Sequence, residues 1–430
     1  MCDDSQIADC FAGSFNSIYS SHDSTQSSKL LSDFHSLYEK YSIEHKDDNI
    51  NHLYLTWPQM LDVMSKLKLG KSSASFVKAE HIIYGSPKLA WHLHLLFNAM
   101  VQHSYVPYEF LNGVISPLIK DSEGDHSDPQ NYRGLTLGVV FSFLFEHALL
   151  LKVGHMLETD PLQFGYKKRH STSHAIYTLK ECINYFTSRG SNVFAAFLDC
   201  SKGFDKVSHS GIFIKLMKRG VPLCILNLLI YWYSNLTSVV KWNGVLSKPF
   251  RVLSGVRQGG VLSPHLFAIY VNDLILKLRE TKNGCYIADV FLACIVYADD
   301  ICLLAPCRSA LQKLIDNCES YGISWCLSYN PSKTKVMVFG KTDCRPSFSM
   351  YGNTLEYVNE YKYLGVHVVE GKDFSMSHIK PLIKFRSSAN TILNVYHKPS
   401  ELILLKLLYA ICIPNLTYAA DIIECSVKQM

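Results

Sequence analysis

The tetrapeptide Tyr297-Ala298-Asp299-Asp300 lies between two apolar runs, residues 290–296 and 301–305, and that arrangement leaves few folds open. Two short strands joined at a carboxylate pair form a hairpin that lifts negative charge to the rim of a sheet while its flanks bury. Adjacent carboxylates repel unless a cation lies between them, so the segment calls for a divalent metal. A third acid is set the same way: the strand-like run 193–198 ends in Asp199 and continues as Cys200-Ser201-Lys202-Gly203-Phe204-Asp205. Three carboxylates form an oxygen-only donor set that suits hard Mg²⁺ better than Zn²⁺. Two such ions can clamp the attacking and leaving oxygens of a phosphoryl displacement. Taken singly, either motif is equally an acid at a turn, where Asp is common.

Composition admits this reading. The chain has 430 residues, 48% of them hydrophobic, enough for a large core and two or three subdomains. Its net charge of +5 is uneven. Residues 1–60 carry nine acids against three lysines, while 167–219 hold ten Lys or Arg and three acids. A basic stretch beside the acids suits a phosphate backbone, and equally a solvated helical face. The fourteen cysteines show no Cys-x-x-Cys spacing and no charged-then-apolar leader precedes them, so they read as free thiols of an intracellular protein in cytoplasm or nucleus. Glu146 interrupts the apolar stretch near 136–151, and Lys406 and Pro414 interrupt that near 402–420, leaving runs short of a membrane span; no membrane partner is expected.

Alternating strands (193–198, 250–254, 291–297, 301–305, 335–339) and helices (173–187, 211–218, 264–279, 309–321) predict a mixed α/β layer fold, preceded by helices over 57–69 and 89–101 and a strand over 114–120. The Ser- and Asp-rich residues 1–50 read as helix and loop, ordered only in part.

Beyond the two acid motifs the chain carries, in order, Asn131-Tyr132-Arg133, Gln163-Phe164-Gly165-Tyr166-Lys167, the continuation from Asp199 to His209, Gly255-Val-Arg-Gln258-Gly259-Gly260-Val-Leu-Ser263-Pro264, Lys333-Thr334 and Tyr361-Lys-Tyr-Leu364-Gly365. This ordered series resembles the reverse transcriptase domain of non-long-terminal-repeat (LINE-type) retrotransposons over roughly residues 55 to 400. The resemblance implies a right-hand polymerase with an antiparallel palm sheet and an incomplete thumb. Its expected ranges are an acidic extension over 1–55, helices and fingers over 56–190, palm over 191–370 and the start of a thumb over 371–430. It also implies an RNA-directed DNA polymerase working on an RNA template, a DNA primer and deoxynucleoside triphosphates, with two Mg²⁺ ions, or Mn²⁺, held by Asp199, Asp299 and Asp300.

Further roles follow from the same resemblance. Phe204 would pack under the incoming sugar and leave no room for a 2′-hydroxyl. Gly259 would let the backbone approach nucleotide and template closely, while Gln258 offers both a donor and an acceptor. Arg133, with Lys120 as a second cation, would grip the triphosphate. Lys333 would protonate the pyrophosphate leaving group, with Lys335 near enough to exchange roles. Tyr361, Leu364 and Gly365 would form a hairpin holding the primer end; from their charge, Lys167, Lys168 and Arg169 are candidates to meet template phosphates.

Three departures stand out. Gly134 follows Arg133 where Pro is usual, Gly203 replaces Ala, and Ala74-Ser75-Phe76 replace Gly-Pro-Asp. The chain shows no upstream endonuclease-like region and stops before a full thumb, so it reads as a fragment or degenerate copy of a longer element. The alternative to an active polymerase is a catalytically silent relic that at most binds nucleic acid.

Overall fold

The computed structural model of the chain describes residues 3–20, 25–342, 344–395 and 400–422. They fall into two compact units, neither a single stretch of chain. The first comprises Met1–Asp160, Ser201–Asp273 and Tyr321–Ser328, the second Pro161–Cys200, Leu274–Ser320 and Tyr329–Met430. Both mix helices and strands, as the alternating pattern predicts.

The first unit is built on a small sheet in which Asn112–Ile119 pairs antiparallel with Tyr132–Leu137 and parallel with Thr237–Trp242. The described residues of the N-terminal segment are helix and loop, as their composition suggests, with two long helices. Helix Asp4–Tyr19 starts at Asp3 with a capping box to Gln6. Its Phe11, Phe15 and Tyr19 recur every four residues and are buried, because that spacing puts them on one helix face. Phe11 meets the Tyr132 ring edge-on at 4.8 Å and Trp242 at 5.1 Å. A second helix, Thr25–Glu44, buries Leu30, Phe34 and Tyr41. Phe34 lies 5.5 Å from Phe213, and the Tyr41 hydroxyl donates to Val221 O at 2.7 Å. Serines and aspartates fill the outer faces and mask both stripes in a bulk reading.

The second unit holds a five-stranded sheet in the order Glu356–Tyr357, Lys335–Phe339, Val193–Asp199, Asp300–Ala305, Cys294–Tyr297. All pairs are antiparallel except that of the Glu356–Tyr357 edge. Val193–Asp199 lies at the centre and is buried from Val193 through Leu198, as an uninterrupted apolar run requires. Helix Thr172–Ser188 buries Ala175, Ile176, Leu179, Cys182 and Ile183. A second sheet pairs Glu360–Tyr363, Val366–Val369 and Ser375–Met376.

The two apolar stretches expected to fall short of a membrane span do not. The helix Val140–Val153 runs through Glu146, which is buried with a hydrogen-bond partner. Val140–Leu157 and Glu401–Ile422 are both long and apolar enough, by length and composition, to cross a membrane; half of the first is buried and most of the second exposed. The twelve described cysteines are free thiols.

Candidate active site

In the second unit the antiparallel register makes Asp300 the cross-strand partner of Asp199 and, on its other side, of Tyr297. Directly opposed residues of an antiparallel pair project from the same face, so Asp199 and Asp300 are neighbours although about 100 residues separate them in sequence. Asp299 stands one residue away, in a two-residue turn whose first member, Ala298, has φ +58°. Strand Val193–Asp199 is fixed at its end by its own backbone: Asp199 N donates to Thr334 Oγ1 at 3.3 Å, and its carbonyl accepts from Asn330 N at 2.9 Å.

The turn is braced by a side chain absent from the predicted site. Gln163 Oε1, fully buried, accepts from Ala298 N at 3.2 Å and from Gly165 N at 3.1 Å. A Cβ on Gly165 would lie 2.6 Å from Ala298 N, so only glycine allows this approach. The Gln-Phe-Gly motif is a cradle for the acidic turn. Among the described residues no group of three or more His, Cys, Asp or Glu side chains is gathered into a ready metal cage. The register sets Asp199 beside Asp300, leaving Asp299 at the apex. The donor set is nonetheless all oxygen and strongly negative, which fits Mg²⁺.

The hairpin of Glu360–Tyr363 and Val366–Val369 turns through Leu364 (φ +45°) and Gly365 (φ +87°), the two positive values a tight primed turn needs. The Tyr361 ring stacks on Phe197 at 4.6 Å. Burial, then the charges of Asp300 and Asp199, push its phenol up to about 12, so it stays a donor beside both carboxylates. Tyr418 seals the turn by donating to Leu364 O at 2.6 Å. Of the two lysines that could serve a leaving group, Lys335 is paired with Glu356 at 2.5 Å, whereas Lys333 is exposed. Lys168 and Arg169 are exposed and Lys167 half-buried, in turns following the Gln163 cradle.

In the first unit, Lys120 N donates to Asn131 O at 2.8 Å and Arg133 pairs with Leu118, so continuation of one register puts Lys120 and Arg133 on the same face. Asn131 stitches the loop before it through Asp121 and Asp125, Tyr132 is buried, and Arg133 is exposed. Phe204 is half-buried and stacks flat on buried Phe267, with centroids 4.3 Å apart.

The Gln258 loop is held from several directions. Gly255 N donates to Val207 O at 2.7 Å, Val256 N to Phe204 O at 2.8 Å and Thr136 N to Gln258 O at 2.8 Å. A Cβ on Gly255 (φ +86°) would sit 2.5 Å from Asp205 O, and one on Gly259 (φ +123°) 2.7 Å from Thr136 O. His209, driven down to about 4 by burial, is neutral and its ring nitrogen meets Gly255 O at 2.8 Å, which makes that nitrogen the N–H donor. Gln258 Nε2 donates to Asp205 Oδ1 at 2.6 Å; burial pushes the Asp205 carboxyl up, against the hydrogen bonds from Gln258 and Tyr19. Beyond the loop, buried Glu146 accepts from Leu262 N at 2.6 Å and faces the Arg257 guanidinium. Asp205 and His209 lie in the run that continues from Asp199, and Glu146 signals itself as a charge within an apolar stretch.

The basic stretch 167–219 is in part not a surface. Lys215 is 1% exposed, 2.5 Å from Asp273 and 3.4 Å above the Trp325 ring centre. Arg219 is spent on the carbonyls of Met156 and Glu158, and Arg189 on Tyr185.

Residues 125–368, more than half the chain, match the family described as reverse transcriptase (RNA-dependent DNA polymerase). The chain belongs to the reverse transcriptase family. It is 26% identical over 385 residues to an RNA-directed DNA polymerase from mobile element jockey of Drosophila funebris, covering 86% of this chain and 41% of that protein. It is 26% identical to a probable RNA-directed DNA polymerase from transposon X-element of Drosophila melanogaster, covering 63% of this chain and 30% of that one. A retrovirus-related Pol polyprotein from retrotransposable element R2 of Nasonia vitripennis is 27% identical, over 63% of this chain and 27% of its own length. The chain thus spans about two fifths or less of these relatives, and the resemblance to non-long-terminal-repeat elements holds. A solved apo telomerase from Candida tropicalis, truncated from its C-terminal domain, overlaps at a TM-score of 0.42 and 12% identity, over 74% of this chain and 65% of that one, too slight to decide anything about fold.

One departure from the reverse transcriptase pattern now has a cause. A Cβ on Gly134 would lie 3.0 Å from both Phe15 and Ile115, so the N-terminal helix occupies the space that a Pro ring would need.

Proposed function

We propose that this chain is the polymerase core of a retrotransposon RNA-directed DNA polymerase, adding deoxynucleotides to a primer 3′-hydroxyl on an RNA template. The observation that carries the reading is the register that makes Asp199 and Asp300 partners beside the Asp299 turn, in a chain of this family. In this proposal Asp199, Asp299 and Asp300 hold two Mg²⁺ ions, whose bound charge would activate the primer hydroxyl and neutralise the departing pyrophosphate. The chain's own groups do the rest. Arg133 and Lys120 take the triphosphate oxygens, Arg133 through its bidentate fork. Phe204, immobile on Phe267, closes the space at the sugar C2′ and so selects deoxynucleotides. Gln258, its amide held, meets the nucleotide with a fixed acceptor. Lys333 delivers a proton to pyrophosphate. Tyr361 and the Leu364-Gly365 turn steady the primer end, and Lys167, Lys168 and Arg169 screen template phosphates. Free thiols agree with a reducing intracellular setting.

The test is primer extension by the purified chain, with an RNA template, a DNA primer, the four deoxynucleoside triphosphates and Mg²⁺. Template-complementary product that vanishes with EDTA is the expected result. A folded chain that extends no primer in Mg²⁺ or Mn²⁺ would overturn the proposal.

A further inference from the structure

We propose that Tyr19 is a positioning residue for Gln258, acting through Asp205, and that helix Asp4–Tyr19 is thereby a working part of the nucleotide pocket. The inference rests on the reading of Gln258 as a nucleotide contact. The Tyr19 hydroxyl donates to Asp205 Oδ1 at 3.2 Å, and Gln258 Nε2 donates to the same oxygen at 2.6 Å. An amide gripped by its nitrogen cannot turn over, so its Oε1 is committed to the other side as an acceptor. Asp205 in turn needs Tyr19: a buried carboxylate oxygen short of donors carries a desolvation cost that each hydrogen bond offsets. Tyr19 is 4% exposed, and burial, reinforced by the Asp205 charge, lifts its phenol well above its ordinary value, so it remains a donor.

The helix end is built into the same loop. Leu253 N and Ser254 N donate to Tyr19 O at 3.0 and 3.1 Å, and Ser254 Oγ bridges Ser20 O and Asp205 O at 3.3 and 3.4 Å. One turn earlier, Phe15 rests against Gly134, next to Arg133. The helix therefore abuts both the strand carrying the triphosphate cation and the loop carrying the glutamine. Packing alone would ask only for a ring at position 19; the hydroxyl reaching a buried carboxylate asks for tyrosine.

The experiment compares wild type, Tyr19→Phe, Gln258→Ala and the double variant. Tyr19→Phe keeps the ring and should melt within a few degrees of wild type. It should raise the KM for deoxynucleotide roughly five- to tenfold, with kcat within about twofold, the size expected for one ordinary hydrogen bond acting indirectly. In the Gln258→Ala background it should add nothing, because its route to the nucleotide is gone. An activity-independent readout is the Gln258 side-chain NH₂ resonance, assigned by its loss in Gln258→Ala, which should shift and exchange faster in Tyr19→Phe. An unmoved resonance overturns the proposal whatever the kinetics. Additive KM effects, or an unchanged KM in an active enzyme, overturn it equally. If wild type incorporates no nucleotide, the polymerase reading fails, and the resonance still decides whether Tyr19 holds Gln258.

Discussion

The carboxylates of the second unit and the glutamine of the first are positioned by different forces. Asp199 and Asp300 are placed by strand register, a property of backbone hydrogen bonds, and a one-residue slip would turn a buried strand inside out. Gln258 is placed by side chains: Asp205 and Tyr19 hold its amide, His209 its loop from one side, and Glu146 with Arg257 the segment beyond. A backbone-built site loses its chemistry when a ligand is removed and little else changes. A network-built site is sensitive to residues that never touch substrate.

That contrast orders the expected effects. Asp199→Asn or Asp299→Asn should drop nucleotide incorporation below detection in primer extension while leaving the melting temperature within a few degrees, because the register does not depend on those charges. Incorporation surviving in either variant would break the backbone half of the comparison. Glu146→Ala removes the acceptor of the buried Leu262 N–H together with the carboxylate that faces Arg257, and should cost about 3 kcal/mol in urea unfolding. Glu146→Gln, which keeps the Leu262 bond and loses only the charge, should cost clearly less; equal losses would remove that hydrogen bond from the account.

Phe204→Ala should raise ribonucleotide use relative to deoxynucleotide by on the order of 10²-fold with metal dependence unchanged. If the variant unfolds, Phe204 is a core residue stacked on Phe267 and no more. The pH dependence comes from His209. Its folded value lies below its ordinary one, so the unfolded chain binds the proton more readily. Stability is therefore complete above about pH 6.5 and falls between there and about 4 as the pH drops. His209→Gln, which keeps a donor for Gly255 O, should flatten that slope in melts run across the range. The smallest effect concerns affinity for RNA. Neutralising Lys167, Lys168 and Arg169 together should reduce the log-log salt slope by roughly 2 to 3, and an unchanged slope would make them a solvated face.

Legibility in the sequence follows the same division. The hairpin of Tyr297–Asp300, the central run ending at Asp199 and the Tyr361 hairpin announce themselves because period and turn chemistry are local. The pairing of Asp199 with Asp300 is not local, and only the acids' own chemistry and the ordered motif series hint at it. Gln163 and Gly165 escaped as site residues because they act on the backbone of the turn, which leaves no mark in side-chain type. Glu146 reads only as a charge interrupting an apolar run, since its partners Leu262 and Arg257 lie far along the chain. Lys215 was counted as surface charge for the same reason: Asp273 and Trp325 cannot be seen from position 215. Composition gives the N-terminal segment only as helix and loop, whereas Phe11, Phe15 and Tyr19 at four-residue spacing mark the buried face of its first helix.

The central claim, that strand register builds a divalent-cation site from Asp199, Asp299 and Asp300, is tested most directly by titrating Mn²⁺ and following the free ion by electron paramagnetic resonance. Wild type should bind Mn²⁺ in competition with Mg²⁺, and Asp199→Asn and Asp299→Asn should each weaken binding at least about tenfold, a loss of ~1.4 kcal/mol. Asp289→Asn, the same charge change at an exposed position, should leave it unaltered. Equal Mn²⁺ binding by all four proteins would contradict the account.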